Sequence, residues 1–218
     1  MNKNSLPEDN RPSVRFRQPL FRNKTSQEIE AESEESLADS DKTKYKFIVF
    51  KSTWDQALRF REQKLPKIIE ENPILAKVTI RHLDPEKDTV NFMQTFNRAF
   101  ITAPDPYRSI LEEDVKKFDP SSTFVATLYG KIIGFIVLII DPLIKKGKEV
   151  GKQGVIAGIG VDPRYRRKHI AFLLAAKAAD YFDKHDVSEL VCEIYHENKI
   201  SYNFIRNFGF VETGVTYL

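Results

Sequence analysis

The amino-acid sequence predicts an α/β fold of the mixed α+β kind, in which helices flank a central mixed β-sheet. Two patterns favour this fold. The upstream part runs strand, helix, helix, hairpin, and the downstream part alternates apolar strands with amphipathic helices. Because strands separated by helices usually pair in parallel, the downstream part predicts a site at the carboxyl ends of its strands. The 218 residues, 41% of them hydrophobic, suffice for one sizeable core.

Residues 1–43 are predicted to be a disordered, charged tail. The segment has few large apolar side chains, so burial cannot offset the entropy cost of ordering it. Basic residues come first in this tail and acidic residues follow. The basic half could contact an acidic partner such as RNA, and a solvated tail without a fixed partner is the other interpretation.

Residues 44–77 are predicted to be an accessory extension made of a strand and a helix. The strand is assigned to residues 45–50, which are mostly apolar. Ser52 or Thr53 is a candidate cap for the helix that follows. That helix, which Pro66 would interrupt, carries three apolar side chains on nearby turns: Trp54, Leu58 and Leu65.

Residues 78–218 are predicted to form the main domain, which opens with a strand at 78–82. Asp84 and Pro85 are typical of the cap and first residue of a helix. An aromatic stripe with a spacing of four residues assigns one face of that helix to the core: Phe92, Phe96 and Phe100. A loop at 101–108 joins this helix to a second helix at 109–118, and a hairpin completes the upstream part. The hairpin pairs strands 123–128 and 131–140 through Tyr129-Gly130.

The downstream part is predicted to contain three more strands and two helices. The strands are assigned to residues 155–161, 190–194 and 210–217, and the helices to residues 167–183 and 198–208. Gly209 marks the end of the last helix.

Composition excludes several classes of function. A net charge of +3 gives no global field that would favour nucleic acid or an anionic membrane as the main partner. Cys192 is the single cysteine, so no intramolecular disulfide can form and a reducing, cytoplasmic setting is expected. We expect neither a secretory signal nor a membrane span, because the apolar runs are too short. The four histidines lack the spacing of metal ligands, so no metal is predicted.

A basic turn between a strand and a helix is the strongest local signal for a ligand site. The strand ends at Val161-Asp162-Pro163, four cationic side chains follow by residue 168, and a helix opens with small Ala171 in its first turn. Main-chain N–H groups, the positive helix end and these cations converge, so a phosphate group is expected here. A solvated basic loop is the alternative, and nucleic acid stacking on Tyr165 is a third interpretation.

Two segments resemble the motifs of the GNAT superfamily of N-acetyltransferases. Residues 161–171 resemble its acetyl-CoA motif, a strand ending V-x-P followed by Q/R-x-x-G-x-G/A, with Arg166 at the first position and Ala171 at the last. Residues 198–210 resemble the later helix of the family, which begins with asparagine and closes in G-F. The pattern is closest to RimI-like protein N-terminal acetyltransferases. The resemblance covers roughly residues 78–218 and implies the GNAT fold, with acetyl-CoA at the splayed central strands.

The resemblance also implies which residues hold acetyl-CoA. Unpaired main-chain groups of the splayed strand would bond the pantetheine arm, and N–H groups of the following turn would bind the pyrophosphate, with Arg166 and Lys168 adding charge. His169 stands where the family usually has glycine, so its side chain must turn aside or touch phosphate itself. The implied coenzyme contacts are Ile159, Gly160, Val161, Arg166, Arg167, Lys168, His169, Ile170, Ala171, Asn198 and Ser201.

Acyl transfer to an amine needs a base and an oxyanion donor. A lysine amine, with a pKa of about 10.4, is almost wholly protonated at neutral pH, so a base or a water relay is useful. Glu193, five residues before Asn198, matches the glutamate assigned as base in RimI-like enzymes. An outward strand residue or a lysine partner is the alternative for Glu193. A main-chain N–H near Ile159 or Gly160 is the expected oxyanion donor.

The acid for the departing thiolate is the point at which the sequence departs from the family. Many members have a tyrosine where Ile205 stands. Tyr202 or Ser201, one turn earlier on the same helical face, is a candidate substitute, and core packing is the alternative for Tyr202. The thiolate, with a free pKa of about 8.5, could also leave unprotonated. His196 is a candidate relay residue or an exposed loop residue.

The end of the sequence is the second departure. The family normally has one more strand after residues 210–217, and the sequence stops at Leu218. We hypothesise that the extra strand at 45–50 fills part of this gap at the sheet edge, or that a partner chain does. A homodimer is therefore left open. The resemblance also implies that the acceptor pocket draws on this missing hairpin and on the loop between the first two helices, here residues 101–108.

These features predict an acetyl-CoA-dependent N-acetyltransferase that acts by direct attack of a primary amine on the thioester. The acceptor is a protein N-terminal α-amino group, a lysine or a small-molecule amine. A non-catalytic acyl-CoA-binding scaffold of the same fold is the alternative, suggested by Ile205 and His169. A third interpretation is an RNA-associated protein that acts through the basic tail.

Overall fold

The computed structural model describes residues 45–53, 59, 62–106 and 109–217, and its strands form one seven-stranded sheet. The strands are β1 (Lys46–Thr53), β2 (Val78–His82), β3 (Thr123–Leu128), β4 (Lys131–Lys145), β5 (Lys148–Val161), β6 (Val187–Tyr195) and β7 (Val211–Tyr217). Their order is β2-β3-β4-β5-β6-β1-β7. Strands β5 and β6 pair in parallel and the other neighbours are antiparallel. The predicted mixed sheet flanked by helices is confirmed.

Helices lie on both faces of this sheet. They are α1 (Leu65–Glu71), α2 (Thr89–Ile101), α3 (Glu112–Val115), α4 (Ile170–Asp183) and α5 (Lys199–Arg206), with short 3₁₀ helices at Pro73–Lys77 and Pro163–Tyr165. Leu174 and Phe182 of α4 pack on one face together with Ile205 of α5. Phe92 and Phe96 of α2 pack on the other face. The aromatic stripe of α2 is therefore core, as predicted, with Phe92 and Phe96 almost fully buried.

Two predicted helix boundaries are wrong. Helix α2 begins at Thr89, because the carboxylate of Asp84 accepts hydrogen bonds from the two following N–H groups, those of Glu86 and Lys87, and so closes a separate turn. The predicted helix at 109–118 is reduced to α3, since the N–H of Ile110 donates to the Asn97 side chain of α2. The predicted interruption near Pro66 is present, because residues 62 and 63 are helical, Lys64 is a turn residue, and Pro66 lies in the first turn of the next helix, α1.

Strands β4 and β5 are longer than the strands predicted at 131–140 and 155–161, and they pair as a hairpin that the sequence analysis does not predict. Pairing continues from Gly134 opposite Val161 to Lys145 opposite Lys148. The turn has positive φ at Lys146 (52°) and Gly147 (72°), which suits a two-residue hairpin. The predicted Tyr129-Gly130 turn of the preceding hairpin has the same character, with φ of 51° and 76°.

Strand β1 lies inside the sheet, one place in from the edge. It pairs antiparallel with β6 on one side and with β7 on the other, and Val49 lies opposite both Glu193 and Gly214. The expectation that this strand would occupy the sheet edge is wrong, because both of its edges are hydrogen-bonded. The predicted accessory strand is thus part of the central sheet and spaces β6 from β7.

Some predictions fall outside the described residues. They concern the tail at 1–43, Trp54, Leu58 and the end of the 101–108 loop. Within the described ranges, no helix has the length and apolar character needed to cross a bilayer.

Candidate active site

The parallel strands β5 and β6 separate at their carboxyl ends. Their pairing stops at Ile156 opposite Cys192. Beyond this pair β5 runs on to Val161 bonded to β4, after a register shift at Ala157. The edge of β5 that faced β6 is therefore available to a ligand along residues 157–161, which include the predicted contacts Ile159, Gly160 and Val161.

Two glycines in this stretch differ in their surroundings. A Cβ added to Gly160 would lie 2.6 Å from the Phe135 ring and 3.1 Å from the Cβ of Ala99, so glycine is required here for α2 to pack on β5. A Cβ added to Gly158 would meet no atom within 4 Å. Gly158 therefore leaves open space beside β5, as close approach of a ligand requires.

Asp162, which follows β5, ties this strand to helix α2. Its side chain is fully buried and accepts hydrogen bonds from Arg164 Nε (3.0 Å) and Arg98 Nε (2.8 Å). The bonds from Arg164, followed by those from Arg98, hold the pKa of Asp162 far below its usual range. The residue is thus an ionised anchor between α2 and the basic turn.

Arg166 has a similar structural role. Its guanidinium donates to the carbonyl oxygens of Val161 (3.2 Å) and of Ala99 in α2 (2.7 Å). These bonds fix the end of β5 against the last turn of α2. The added charge that the sequence predicts from Arg166 at a pyrophosphate stays a prediction.

The basic turn has the backbone form of an anion site. Arg167 and His169 both have a φ of 59°, in the left-handed region, and α4 begins directly afterwards at Ile170. Left-handed residues next to a helix start direct successive N–H groups to one side and form a concave nest for anions. The predicted helix start at Arg167 is wrong, because the left-handed residues Arg167 and His169 cannot be part of an α-helix and the helix begins only at Ile170.

The side chains of this turn lie around that nest in different ways. Ile170 is buried, so only its main chain can reach a ligand, and Ala171 is half-buried. Arg167 is exposed, whereas Lys168 Nζ lies 5.5 Å from the centre of the Tyr165 ring. These placements leave the N–H groups and Arg167 accessible to an anion, and the added charge that the sequence predicts from Lys168 stays a prediction.

His169 explains why the family favours glycine at its position. Left-handed φ costs a residue with a Cβ roughly 1–2 kcal/mol and costs glycine almost nothing. The ring of His169 lies 5.4 Å from the ring of Phe172, one turn into α4. Of the two options that the sequence leaves, the structure thus shows the side chain turned aside onto Phe172.

Asn198 begins α5 and joins two predicted parts of the site. It is 7% exposed, its Oδ1 accepts from the N–H of Ser201 (3.0 Å), and its Nδ2 donates to Asp105. Asp105 lies in the loop after α2, the loop from which the acceptor pocket was expected to draw. The bond therefore joins the candidate acceptor loop to the helix of the predicted coenzyme contacts Asn198 and Ser201.

Asp105 is a functional candidate that sequence reasoning missed. Burial raises the pKa of its carboxyl, and the hydrogen bond from Asn198 offsets part of that rise. The sequence feature that could have identified Asp105 is its place between Pro104 and Pro106, as a single carboxylate in the predicted acceptor loop. Its burial could not be inferred, because it depends on a partner 93 residues away.

Glu193 lies where the strands separate. It follows Cys192, the last β6 residue paired with β5, and its half-buried carboxylate accepts from Thr216 Oγ1 of β7 (3.3 Å). Cys192 and Ile194 face the α4 core, so Glu193 and Tyr195 share the opposite face of β6. Burial raises the pKa of Tyr195, with smaller contributions from Glu197, Tyr45 and Asp105.

Tyr202 does not face the separated strands. Its ring packs edge-on against Phe50 of β1, with centroids 5.1 Å apart, and its hydroxyl donates to Glu212 of β7 (3.3 Å). Strand β7 is three places from β5 in the sheet. This location fits the packing alternative and argues against Tyr202 as the acid for a thiolate. Ile205, at the usual tyrosine position, is buried in the core.

An apolar cavity lies beneath α4 and α5 where β5 and β6 part. Ile156 and Ile159 of β5, Ala175 and Ala176 of α4 and Phe204 of α5 contribute to its lining. A slender, largely apolar chain would find hydrophobic walls here. Across the described part of the chain, His, Cys, Asp and Glu side chains do not gather into groups of three that could hold a metal ion.

Comparison with known proteins gives a family and a fold. Residues 89–210 match the model of the acetyltransferase (GNAT) family. A curated relative, N-alpha-acetyltransferase 30 of Xenopus laevis, is 34% identical over 92 residues, which are 42% of this chain and 32% of the relative. The chain thus matches about a third of that relative's length.

Solved structures give the same result for the fold. The aminoglycoside acetyltransferase AAC(6')-Iy, in complex with a bisubstrate analogue, superposes with a TM-score of 0.51 at 21% identity, over 63% of this chain and 92% of that one. A NatC complex bound to Gag peptide and CoA gives 0.51 at 22% identity, over 63% and 87%. With the matched family model covering more than half of the sequence, the chain belongs to the acetyltransferase (GNAT) family.

Proposed function

We propose that the protein is an acetyl-CoA-dependent N-acetyltransferase that acetylates a primary amine, with the α-amino group of a protein or peptide N-terminus as the first acceptor to test. The observation that carries the proposal is the separation of β5 from β6 beside a left-handed basic turn at the start of α4. The similarity to N-alpha-acetyltransferase 30 supports the choice of acceptor.

The residues present fit acetyl-CoA, which would supply the acyl thioester. The N–H groups of residues 168–171 and the exposed Arg167 side chain offer donors and positive charge for the pyrophosphate. The apolar cavity at Ile156 and Ile159 offers walls for the pantetheine arm. The free edge of β5 offers a main-chain N–H to the oxyanion, a donor that needs no side chain.

Two carboxylates are available to receive the proton of the amine. Glu193 lies at the parting of the strands, and Asp105 lies in the acceptor loop with a pKa that burial raises. A carboxylate base is more effective when its pKa approaches the working pH, which favours Asp105. An α-amino group, with a pKa of about 8, needs less help than a lysine amine at about 10.4.

A titration of acetyl-CoA into the wild type and into Arg167→Glu, followed by an acceptor screen, tests the proposal. The variant reverses an exposed charge beside the nest, so it should lose affinity while the fold is kept. The screen compares a peptide with a free α-amino group, the same peptide blocked at that group with an internal lysine, and an aminoglycoside. Turnover confined to the free α-amine supports the proposal; equal turnover of all three contradicts the choice of acceptor.

A non-catalytic coenzyme-binding scaffold is the second candidate, favoured by the buried Ile205 and by the commitment of the Tyr202 hydroxyl to Glu212. It requires saturable acetyl-CoA binding without turnover of any amine. Turnover that is lost in Glu193→Gln or Asp105→Asn would exclude this candidate.

A further inference from the structure

Arg166 joins the start of the acceptor loop to β5. Ala99 lies in the last turn of α2, just before this loop, where main-chain carbonyls lack their regular helical partner. Its carbonyl oxygen accepts from Arg166 Nη2 (2.7 Å), and Arg166 Nε donates to the carbonyl oxygen of Val161 (3.2 Å). Because Val161 is the last residue of β5, one guanidinium fixes the end of α2 to the strand that leads into the basic turn.

Asn198 holds the acceptor loop from the other side. Its Nδ2 donates to the carboxylate of Asp105, which lies in the loop. Asn198 is itself fixed, because its N–H donates to the carbonyl oxygen of Tyr195 (2.8 Å) and its Oδ1 accepts from the N–H of Ser201 (3.0 Å). With Asn198 only 7% exposed, both polar atoms of its side-chain amide bond to groups of the protein.

The two contacts to the loop come from the two segments that resemble family motifs. Arg166 holds the first position of the acetyl-CoA motif, and Asn198 opens the later one. Only residues 100–104 separate their partners, Ala99 and Asp105. A segment this short, with both ends fixed, has few conformations left to it. The loop is therefore held by the elements that form the proposed coenzyme site.

We propose that Arg166 is a positioning residue that, together with Asn198, holds the acceptor loop for the amine, and that its side chain is not a ligand of the pyrophosphate. The inference rests on the proposed function. A planar guanidinium suits this role, since its fork of donors can bond two carbonyl oxygens on different elements at once. The loop carries Asp105, a candidate base, so its position sets the distance between base and amine, on which the transfer rate depends steeply.

Two measurements on Arg166→Gln and on the matched variant Arg167→Gln test the inference. They are a titration of acetyl-CoA and the dependence of turnover on amine concentration at saturating acetyl-CoA. Arg166→Gln should raise the KM for the amine at least about fivefold, the lower end of coupling effects of this kind, and keep the acetyl-CoA Kd. Arg167→Gln should show the reverse, with weaker acetyl-CoA binding and the amine KM of the wild type.

Hydrogen exchange of the free protein gives a second readout, which needs neither coenzyme nor amine. Peptides covering residues 99–106 should exchange faster in Arg166→Gln than in the wild type, and at the wild-type rate in Arg167→Gln. Arg166→Lys is a milder change that keeps the charge and loses the planar fork. It should therefore resemble Arg166→Gln in loop exchange and in amine KM.

Three results would overturn the inference and leave the proposed function standing. The first is weaker acetyl-CoA binding by Arg166→Gln that Arg166→Lys restores, which would make the side chain a coenzyme ligand. The others are a wild-type amine KM in both Arg166 variants and unchanged exchange in residues 99–106. A wild type that acetylates no amine would refute the proposed function, and loop exchange would then decide separately whether Arg166 holds the loop.

Discussion

Gly160→Ala tests whether β5 is fixed at the site by close packing on α2. The new methyl group would lie 2.6 Å from the Phe135 ring, well inside contact distance. That ring is fully buried and stacks on Phe96 with centroids 5.1 Å apart, so it cannot give way easily. Overpacking of this kind costs about 1–3 kcal/mol, which corresponds to a Tm lower by roughly 2–12 °C for a domain of this size.

The matched control is Gly158→Ala, because the methyl group there meets open space. We expect the Tm of this variant to change by less than about 2 °C, as at other uncrowded sites, while its acetyl-transfer rate falls because the space beside β5 narrows. Thermal unfolding and amine turnover are measured for both variants. An unchanged Tm for Gly160→Ala, or equal losses of Tm in the two variants, would refute the packing argument.

Three further variants test the anchor, the turn and the acceptor loop. Asp162→Asn should lower the free energy of unfolding by about 1–3 kcal/mol in urea titrations, because a buried charge-assisted network is weakened. Because the pKa of Asp162 is lower in the folded protein than in the unfolded chain, its contribution to stability is fully present above the unfolded pKa of about 3.9 and is lost as the pH falls from there towards the folded pKa. If the stability of Asp162→Asn fell as steeply at acid pH as that of the wild type, this assignment would be contradicted. His169→Gly should raise stability by up to about 1 kcal/mol by relieving left-handed strain, and a lower Tm would mean that the ring contact with Phe172 outweighs it. Asp105→Asn should bind acetyl-CoA normally and acetylate amines at least about tenfold more slowly. Because burial raises the pKa of Asp105 and the base must be ionised, the acid limb of the wild-type rate profile should lie above the usual aspartate range, and an identical profile in the variant would exclude this role.

Local patterns predicted most elements of the fold. The Tyr129-Gly130 turn and the aromatic stripe at Phe92 and Phe96 follow from turn chemistry and helical periodicity, which depend on neighbouring residues alone. The two motifs gave the family, which the match over residues 89–210 confirms. The boundaries at 78 and 44 within the predicted domain division stay predictions.

Long-range partners decided what the sequence could not show. The place of β1 between β6 and β7 depends on strand order, which alternating hydrophobicity does not encode. Asp105 is identified as a candidate by its hydrogen bond from Asn198. Tyr202 lies away from the site, where its hydroxyl donates to Glu212. The sequence did not predict the positions of side chains that depend on a partner in another element of the fold.

Hydrogen exchange with and without acetyl-CoA tests the central claim most directly, namely that the coenzyme lies along the free edge of β5 and on the turn before α4. The account predicts slower exchange in peptides covering residues 157–171 when acetyl-CoA is present. Exchange in β7, residues 211–217, should stay the same, since that strand lies three places away in the sheet. Saturating acetyl-CoA that leaves residues 157–171 unprotected, or protects β7 equally, would contradict the account.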